Sequence, residues 1–173
     1  YTTLFRSAAV FVIVYISFMG YAGDRVTAWL HPELDPGDTG YQILQSLYAI
    51  GSGGLFGLGY GKSRQKYLYL PFQYNDYIFA VICEELGLVG AMAIVALFAV
   101  TILRGYWIAL NARDRFSTVL AAGLVTLIAV QTILNLCVVT NLLPSTGIAL
   151  PFFSYGGTAL AVNLGEMGIV LGV

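Results

Sequence analysis

The chain has 173 residues, of which 58% are hydrophobic and only 10% charged, with a formal net charge of -1 and a strongly positive mean hydropathy. A soluble domain carries about 25% charged residues, so the composition excludes an ordinary soluble enzyme and points to an integral membrane protein. The 8 basic residues are spread thinly, which argues against a nucleic-acid partner.

Taken in order, Tyr1–Ser7 (YTTLFRS) reads like the translated end of a sequencing adapter, so native sequence is expected from Ala8. Residue Val173 falls inside an apolar run, and a fragment of a longer protein is expected. Residues 8–23 are uncharged and rich in Val, Ile, Phe and Tyr, somewhat short of the roughly 20 residues that cross a bilayer. Further spans are expected over 77–103, 116–143 and 154–173. The expected fold class is thus all-α and polytopic, with about four transmembrane helices. Residues 104–115 carry Arg104, Arg113 and Arg115 against Asp114 alone, and the excess of arginine assigns this loop to the cytoplasm. Residues 24–76 and 144–153 are then external loops.

The long external loop holds most of the polar chemistry. Asp35-Pro36-Gly37-Asp38 is turn chemistry. Tyr41–Ile50 places Ile43, Leu44, Leu47 and Ile50 at helical spacing. This is a short amphipathic helix, lying either on the outer membrane surface or half-buried in the loop. Six glycines follow (Gly51, Gly53, Gly54, Gly57, Gly59 and Gly61). Such a segment can bring backbone N–H groups close to a phosphate, although it lacks the strand and helix context of a nucleotide loop. Lys62, Arg64 and Lys66 come next, cations that either hold phosphates or snorkel to lipid headgroups.

Asp76 stands at the mouth of the second span, where it can act as a base or cap the helix. Glu84 and Glu85 lie a few turns inside, and ionisable groups in a span seldom face lipid, so a polar cavity is expected there. Gln131 and Asn135, four apart, share a helix face and suit polar contacts between helices. Ser154, Tyr155, Gly156 and Gly157 open the fourth span with a capping serine and a glycine pair suited to close approach, and its N-terminus can receive an anion. Glu166, deep in that span, needs a partner. Cys83 and Cys137 read as small core residues, and His31 stands alone with no metal-ligand spacing.

Three blocks, GYQILQSLYAIGSGGLFGLGYGKSRQKYLYLP, NDYIFAVICEELG and NLLPSTGIALPFFSYGG, resemble in order the signature blocks of the SEDS family of shape, elongation, division and sporulation proteins. That family covers FtsW, RodA and SpoVE, and SLYAIGSGGLFG looks closer to the FtsW and SpoVE branch. The resemblance implies the C-terminal portion of a bundle of about ten helices in the bacterial cytoplasmic (inner) membrane. It also implies a peptidoglycan glycosyltransferase that polymerises lipid II at the outer face during division, growth or sporulation. Asp76 matches the family's essential aspartate and is the expected catalytic base. Lys62, Ser63, Arg64, Gln65 and Lys66, with Ser154, Tyr155, Gly156 and Gly157, are expected to bind substrate. Glu84, Glu85, Gln131 and Asn135 are expected to line a polar cavity or support it.

The partners implied are lipid II, the membrane and a class B penicillin-binding protein that cross-links peptides. No cofactor is evident; a divalent cation is implicated in the family, but no ligand set can be read. Many members carry Glu after the Leu-Pro that precedes the aspartate, whereas here Leu70-Pro71-Phe72 leaves Gln73, Tyr74 or Asn75 to assist. A lipid II flippase, or a non-catalytic scaffold for a transpeptidase, remain alternatives.

Overall fold

The structure is a computed structural model that describes residues 12, 14, 15, 20–34, 39–63 and 76–173. Arg64, Gln65, Lys66 and the Leu70–Asn75 segment lie outside the described residues, as does most of the first expected span. Among the described residues the elements are α1 (Gly20–Leu30), α2 (Thr39–Ser52), α3 (Ile78–Leu110), α4 (Arg115–Val139) and α5 (Gly157–Gly172), with a short 3-10 turn, Pro32–Leu34, between α1 and α2. No strand occurs among them.

Helices α3 and α4 form a hairpin, and both are long and apolar enough to cross a membrane. The turn between them is shorter than the expected loop over 104–115. Helix α3 continues to Leu110, so Arg104 sits in its last turns, its guanidinium 5.5 Å from the Trp107 ring centre. A cation with an apolar stem and an aromatic neighbour can stay helical and still reach the interface. Asp114 starts α4 as its N-cap, accepting from the Ser117 N–H at 3.0 Å and the Ser117 hydroxyl at 2.7 Å. Close approach of the hairpin depends on Gly105, where a Cβ would stand 2.6 Å from Val125 Cγ2. Around this contact Ala109, Ala121 and Val125 pack with Val170 of α5.

Helix α2 packs against α3 and α4. Its buried stripe is Ile43, Ser46 and Ala49, whereas Leu47, expected on the apolar face, is exposed. Small residues win that face because the backbones approach closely. The Ser46 hydroxyl donates to Ile43 O at 2.8 Å and reaches Val139 O of α4 at 3.3 Å. The packed position favours the half-buried reading of this helix over the surface-lying one. Helix α1 extends to Leu30, so residues 24–30, expected in the external loop, are helical.

Candidate active site

The second expected span is not a continuous helix. At Gly87 the backbone turns to φ 68, ψ -170. In an unbroken helix the N–H groups of Leu88 and Val89 would donate to the carbonyls of Glu84 and Glu85. Instead they donate to Gly54 O (2.9 Å) and Leu55 O (3.2 Å), while Glu84 O and Glu85 O accept from the N–H groups of Leu58 and Gly59, each at 3.0 Å. The glycine-rich segment thus takes up all four groups that the break releases. Such pairing is required where no water is at hand, because each unsatisfied backbone group buried in hydrocarbon costs several kcal/mol.

Three glycines permit this exchange. A Cβ would stand 2.0 Å from Cys83 O at Gly53, 2.2 Å from Glu85 O at Gly57 and 2.3 Å from Gly57 N at Gly87. The expectation that this segment offers its N–H groups to a phosphate is therefore corrected. The N–H groups of Leu58 and Gly59 hold α3, and those of Gly57 and Lys62 bond Gly53 O and Gly59 O within the segment. At its end Lys62 is exposed and Ser63 buried, the Ser63 hydroxyl donating to the Glu84 carboxylate. Glu85 is also buried, and its Oε1 has no hydrogen-bond partner among the described residues. Neither glutamate faces lipid.

The loop after α4 folds back into the molecule, anchored by side chains. Trp29 Nε1 of α1 donates to Asn141 O (3.0 Å) and Arg25 Nη1 to Ser145 O (2.8 Å). On α4, Asn135 Nδ2 donates to Ile148 O (2.6 Å) and Gln131 Nε2 to Ala149 O (3.0 Å). Since Gln131 and Asn135 are one helical turn apart, the chain from Ile148 to Ala149 runs along α4 toward the interior. Leu150 and Pro151 are buried there. Gln131 and Asn135 therefore tie a loop to α4, and Asn135 also reaches the backbone just before α3.

Backbone dihedrals in this loop are unusual: φ is positive at Asn141 (58), Gly147 (69) and Phe152 (65). For a bulky residue such as Phe152 that conformation is strained, and its packing against the core around Leu150 and Phe98 offsets the strain. Ser154 does not cap α5, as expected from its position. Its Oγ accepts from Leu150 N (2.7 Å), and the N-cap is Gly156, with no side-chain cap bond. Gly157 has open space where a Cβ would be, so the glycine pair does not mark a close approach there. Tyr155 is exposed.

Asp76 sits where these parts meet. The N-cap of α3 is Tyr77, with no side-chain cap bond, so the Asp76 carboxylate is not taken up as a helix cap. Its backbone carbonyl accepts from the same Asn135 amide that holds Ile148 (2.8 Å). A Cβ at Gly147 would lie 3.5 Å from Asp76 Oδ2, so the loop passes directly over the carboxylate. Burial pushes the Asp76 carboxyl above its ordinary value, and the Arg25 guanidinium pulls it part of the way back. The result is a carboxylate more basic than a free one. Glu84, with the Ser63 that bonds it, lies further down α3, about 12 Å of helix rise from Asp76.

Sequence reasoning missed Arg25, Trp29 and Gly147. The available signal was a lone arginine just past the expected end of the first span. Its contact with Ser145 bridges 120 positions of the chain, and no local pattern encodes that. Among the described residues no three His, Cys, Asp or Glu side chains come together.

Among the described residues, an all-helical arrangement with a hairpin of two helices long and apolar enough to cross a membrane, a broken helix and a partly buried aspartate at its mouth defines a helical membrane protein. The chain belongs to the FtsW/RodA/SpoVE family: the family model, described as cell cycle protein, matches residues 2–173. That match begins inside the Tyr1–Ser7 stretch set apart above. Stage V sporulation protein E of Bacillus subtilis is 50% identical over 153 residues, covering 88% of this chain and 42% of that protein. A "Probable peptidoglycan glycosyltransferase FtsW" of Geobacter metallireducens is 46% identical over 163 residues, covering 94% of this chain and 44% of that protein. The chain therefore spans less than half the length of these curated relatives. In a solved structure described as "Structural coordination of polymerization and crosslinking by a peptidoglycan synthase complex", one chain matches with a TM-score of 0.77 at 29% identity, covering 98% of this chain and 46% of its own length.

Proposed function

We propose that the full-length protein to which this chain corresponds is a peptidoglycan glycosyltransferase that polymerises lipid II at the outer face of the bacterial cytoplasmic membrane, in division, growth or sporulation. The observation that carries this reading is Asp76, a carboxylate made more basic by burial and left unused by the helix it precedes. The family and its relatives' names support it. In this reading a sugar hydroxyl of one lipid II attacks the anomeric carbon of another. The new glycosidic C–O bond forms as the bond to the polyprenyl pyrophosphate breaks, the hydroxyl proton passes to Asp76, and the electron pair leaves with the pyrophosphate. Negative charge develops on that leaving group. Lys62, Arg64 and Lys66 are the cations assigned to it, with Ser63, Gln65 and the segment Ser154, Tyr155, Gly156 and Gly157 completing the substrate-binding set.

The same reading includes a bundle of about ten spans, residues 104–115 on the cytoplasmic side, and a class B penicillin-binding protein transpeptidase as partner. The test uses the full-length protein purified with its transpeptidase partner and supplied with labelled lipid II. Asp76→Asn is expected to bind lipid II and make no glycan, consistent with the loss of a general base worth 100-fold to 10,000-fold or so in rate. Undiminished glycan from Asp76→Asn would sink the reading. Retained polymerisation with lost lipid II translocation would move the function to a flippase.

A further inference from the structure

Two of the four side chains that anchor the loop after α4 also bear on Asp76. Asn135 does so through the backbone, its side-chain Nδ2 donating to both Asp76 O and Ile148 O. Arg25 does so through charge. Its Nη1 donates to Ser145 O, two residues before the Gly147 that overlies the Asp76 carboxylate. The indole of Trp29, one turn further along α1, fixes the same loop at Asn141 O. Helix α1 thus grips the loop at two carbonyls and presents a cation toward the carboxylate that the loop covers. We infer that Arg25 is a positioning residue for the proposed reaction: its guanidinium holds the 141–148 loop over Asp76 and stands as the counter-charge that keeps this carboxylate available as a base.

The surroundings leave that task to Arg25 among the described residues. Residues 116–165, which include α4 beyond its first residue Arg115, the overlying loop and the start of α5, contain no Asp, Glu, Lys, Arg or His. Helix α2 has none either, and the glycine-rich segment contributes only Lys62, next to the Ser63 that bonds Glu84. On α3 the titratable neighbours are Tyr77 beside Asp76 and Glu84 and Glu85 further in, and α1 carries Asp24 beside Arg25. A fork of donors suits the double task better than a point charge, because one N–H can bond a carbonyl while the delocalised charge still acts nearby.

This inference rests on the glycosyltransferase reading, so the experiment runs Asp76→Asn beside it, using the full-length protein with its transpeptidase and labelled lipid II across a pH series. Arg25 lowers the Asp76 pKa, so its loss must raise that pKa, and the base form then needs a more alkaline solution. Arg25→Gln is expected to make several-fold less polymer on the acid side of the rate profile, with the acid limb moved upward in pH and the rate recovered on its alkaline side. Arg25→Lys, which keeps the charge and loses the fork, is expected to keep the acid limb in place with a several-fold lower rate. An unmoved limb in Arg25→Gln, or a limb moved equally in Arg25→Lys, overturns the inference while Asp76→Asn stays inactive. Should Arg25→Gln fail to purify as folded protein, Arg25→Lys decides alone: a slower enzyme with the wild-type limb supports the role, and a wild-type rate overturns it. Polymer from Asp76→Asn overturns both readings together.

Discussion

Two segments flank the proposed chemistry, and they are held in place by opposite means. The glycine-rich segment is joined to α3 chiefly by backbone groups, four N–H to carbonyl bonds exchanged across the break at Gly87, with the Ser63–Glu84 side-chain bond at its end. The loop after α4 has its carbonyls gripped by side chains, those of Trp29, Arg25, Asn135 and Gln131. Backbone exchange leaves no room for a Cβ, so it is all or nothing. Side-chain anchoring can be adjusted one residue at a time, and it is the kind of hold a loop needs if it is to yield to a substrate at the carboxylate beneath it. The strain at Phe152 and the partial burial of Asp76 lie on this second, adjustable side.

The largest effect is expected on the backbone side. Gly57→Val or Gly87→Val puts a side chain into carbonyl and amide atoms at a positive φ, a clash that only backbone movement relieves and that costs about 3 kcal/mol or more. Little folded protein should be recovered, measured as monodisperse yield in detergent. Recovery of either variant at the wild-type level would show that the exchange is looser than its distances indicate.

On the side-chain side the losses should be graded. Asn135→Ala frees two carbonyls at once, those of Asp76 and Ile148, at about 2 to 4 kcal/mol, whereas Gln131→Ala frees only that of Ala149, at about 1 to 2 kcal/mol. Melting temperatures of the two variants should fall in that order. Glycan synthesis should also fall further for Asn135→Ala, because only Asn135 joins the loop to Asp76. Equal effects would mean that the loop moves as one rigid piece.

The smallest effect concerns the carboxylate itself. Burial outweighs Arg25, so the folded pKa of Asp76 lies above its unfolded value. Folding then binds a proton more tightly, and ionised Asp76 opposes folding increasingly as pH rises from the unfolded pKa through the folded one. Asp76→Asn, though inactive, should melt no lower than wild type at pH 8, and its advantage should vanish toward pH 3, where both side chains are neutral. A variant that melts lower at pH 8 would show that the carboxylate stabilises the fold and that the cleft is not an electrostatic compromise.

Much of the frame is legible without coordinates. Charge-free runs announce α3 and α4, and the arginines of residues 104–115 bracket the turn between them. Their ends drift because helices continue past the apolar core: Arg104 stays in α3 by lying against Trp107. Asp76 is legible through its family blocks and its position before a span. Its freedom from capping is not, since aspartate is a common helix cap and only the backbone at Tyr77 decides. Gly87 sits inside an apolar helix like any tolerated glycine, and nothing nearby announces a break. The six glycines before Lys62 read as a phosphate cradle until their partner in α3 is seen.

Composition and hydrophobic runs by themselves determined the membrane class and the α3–α4 hairpin, because burial in lipid is a property of each segment taken alone. Only the tertiary structure decided that the helix breaks at Gly87, that Ser154 bonds its own loop and does not cap α5, and that Arg25 stands by Asp76. Each of these depends on groups brought together from distant parts of the chain, where a hydrogen bond or a charge acts over a few ångströms and leaves no periodicity behind.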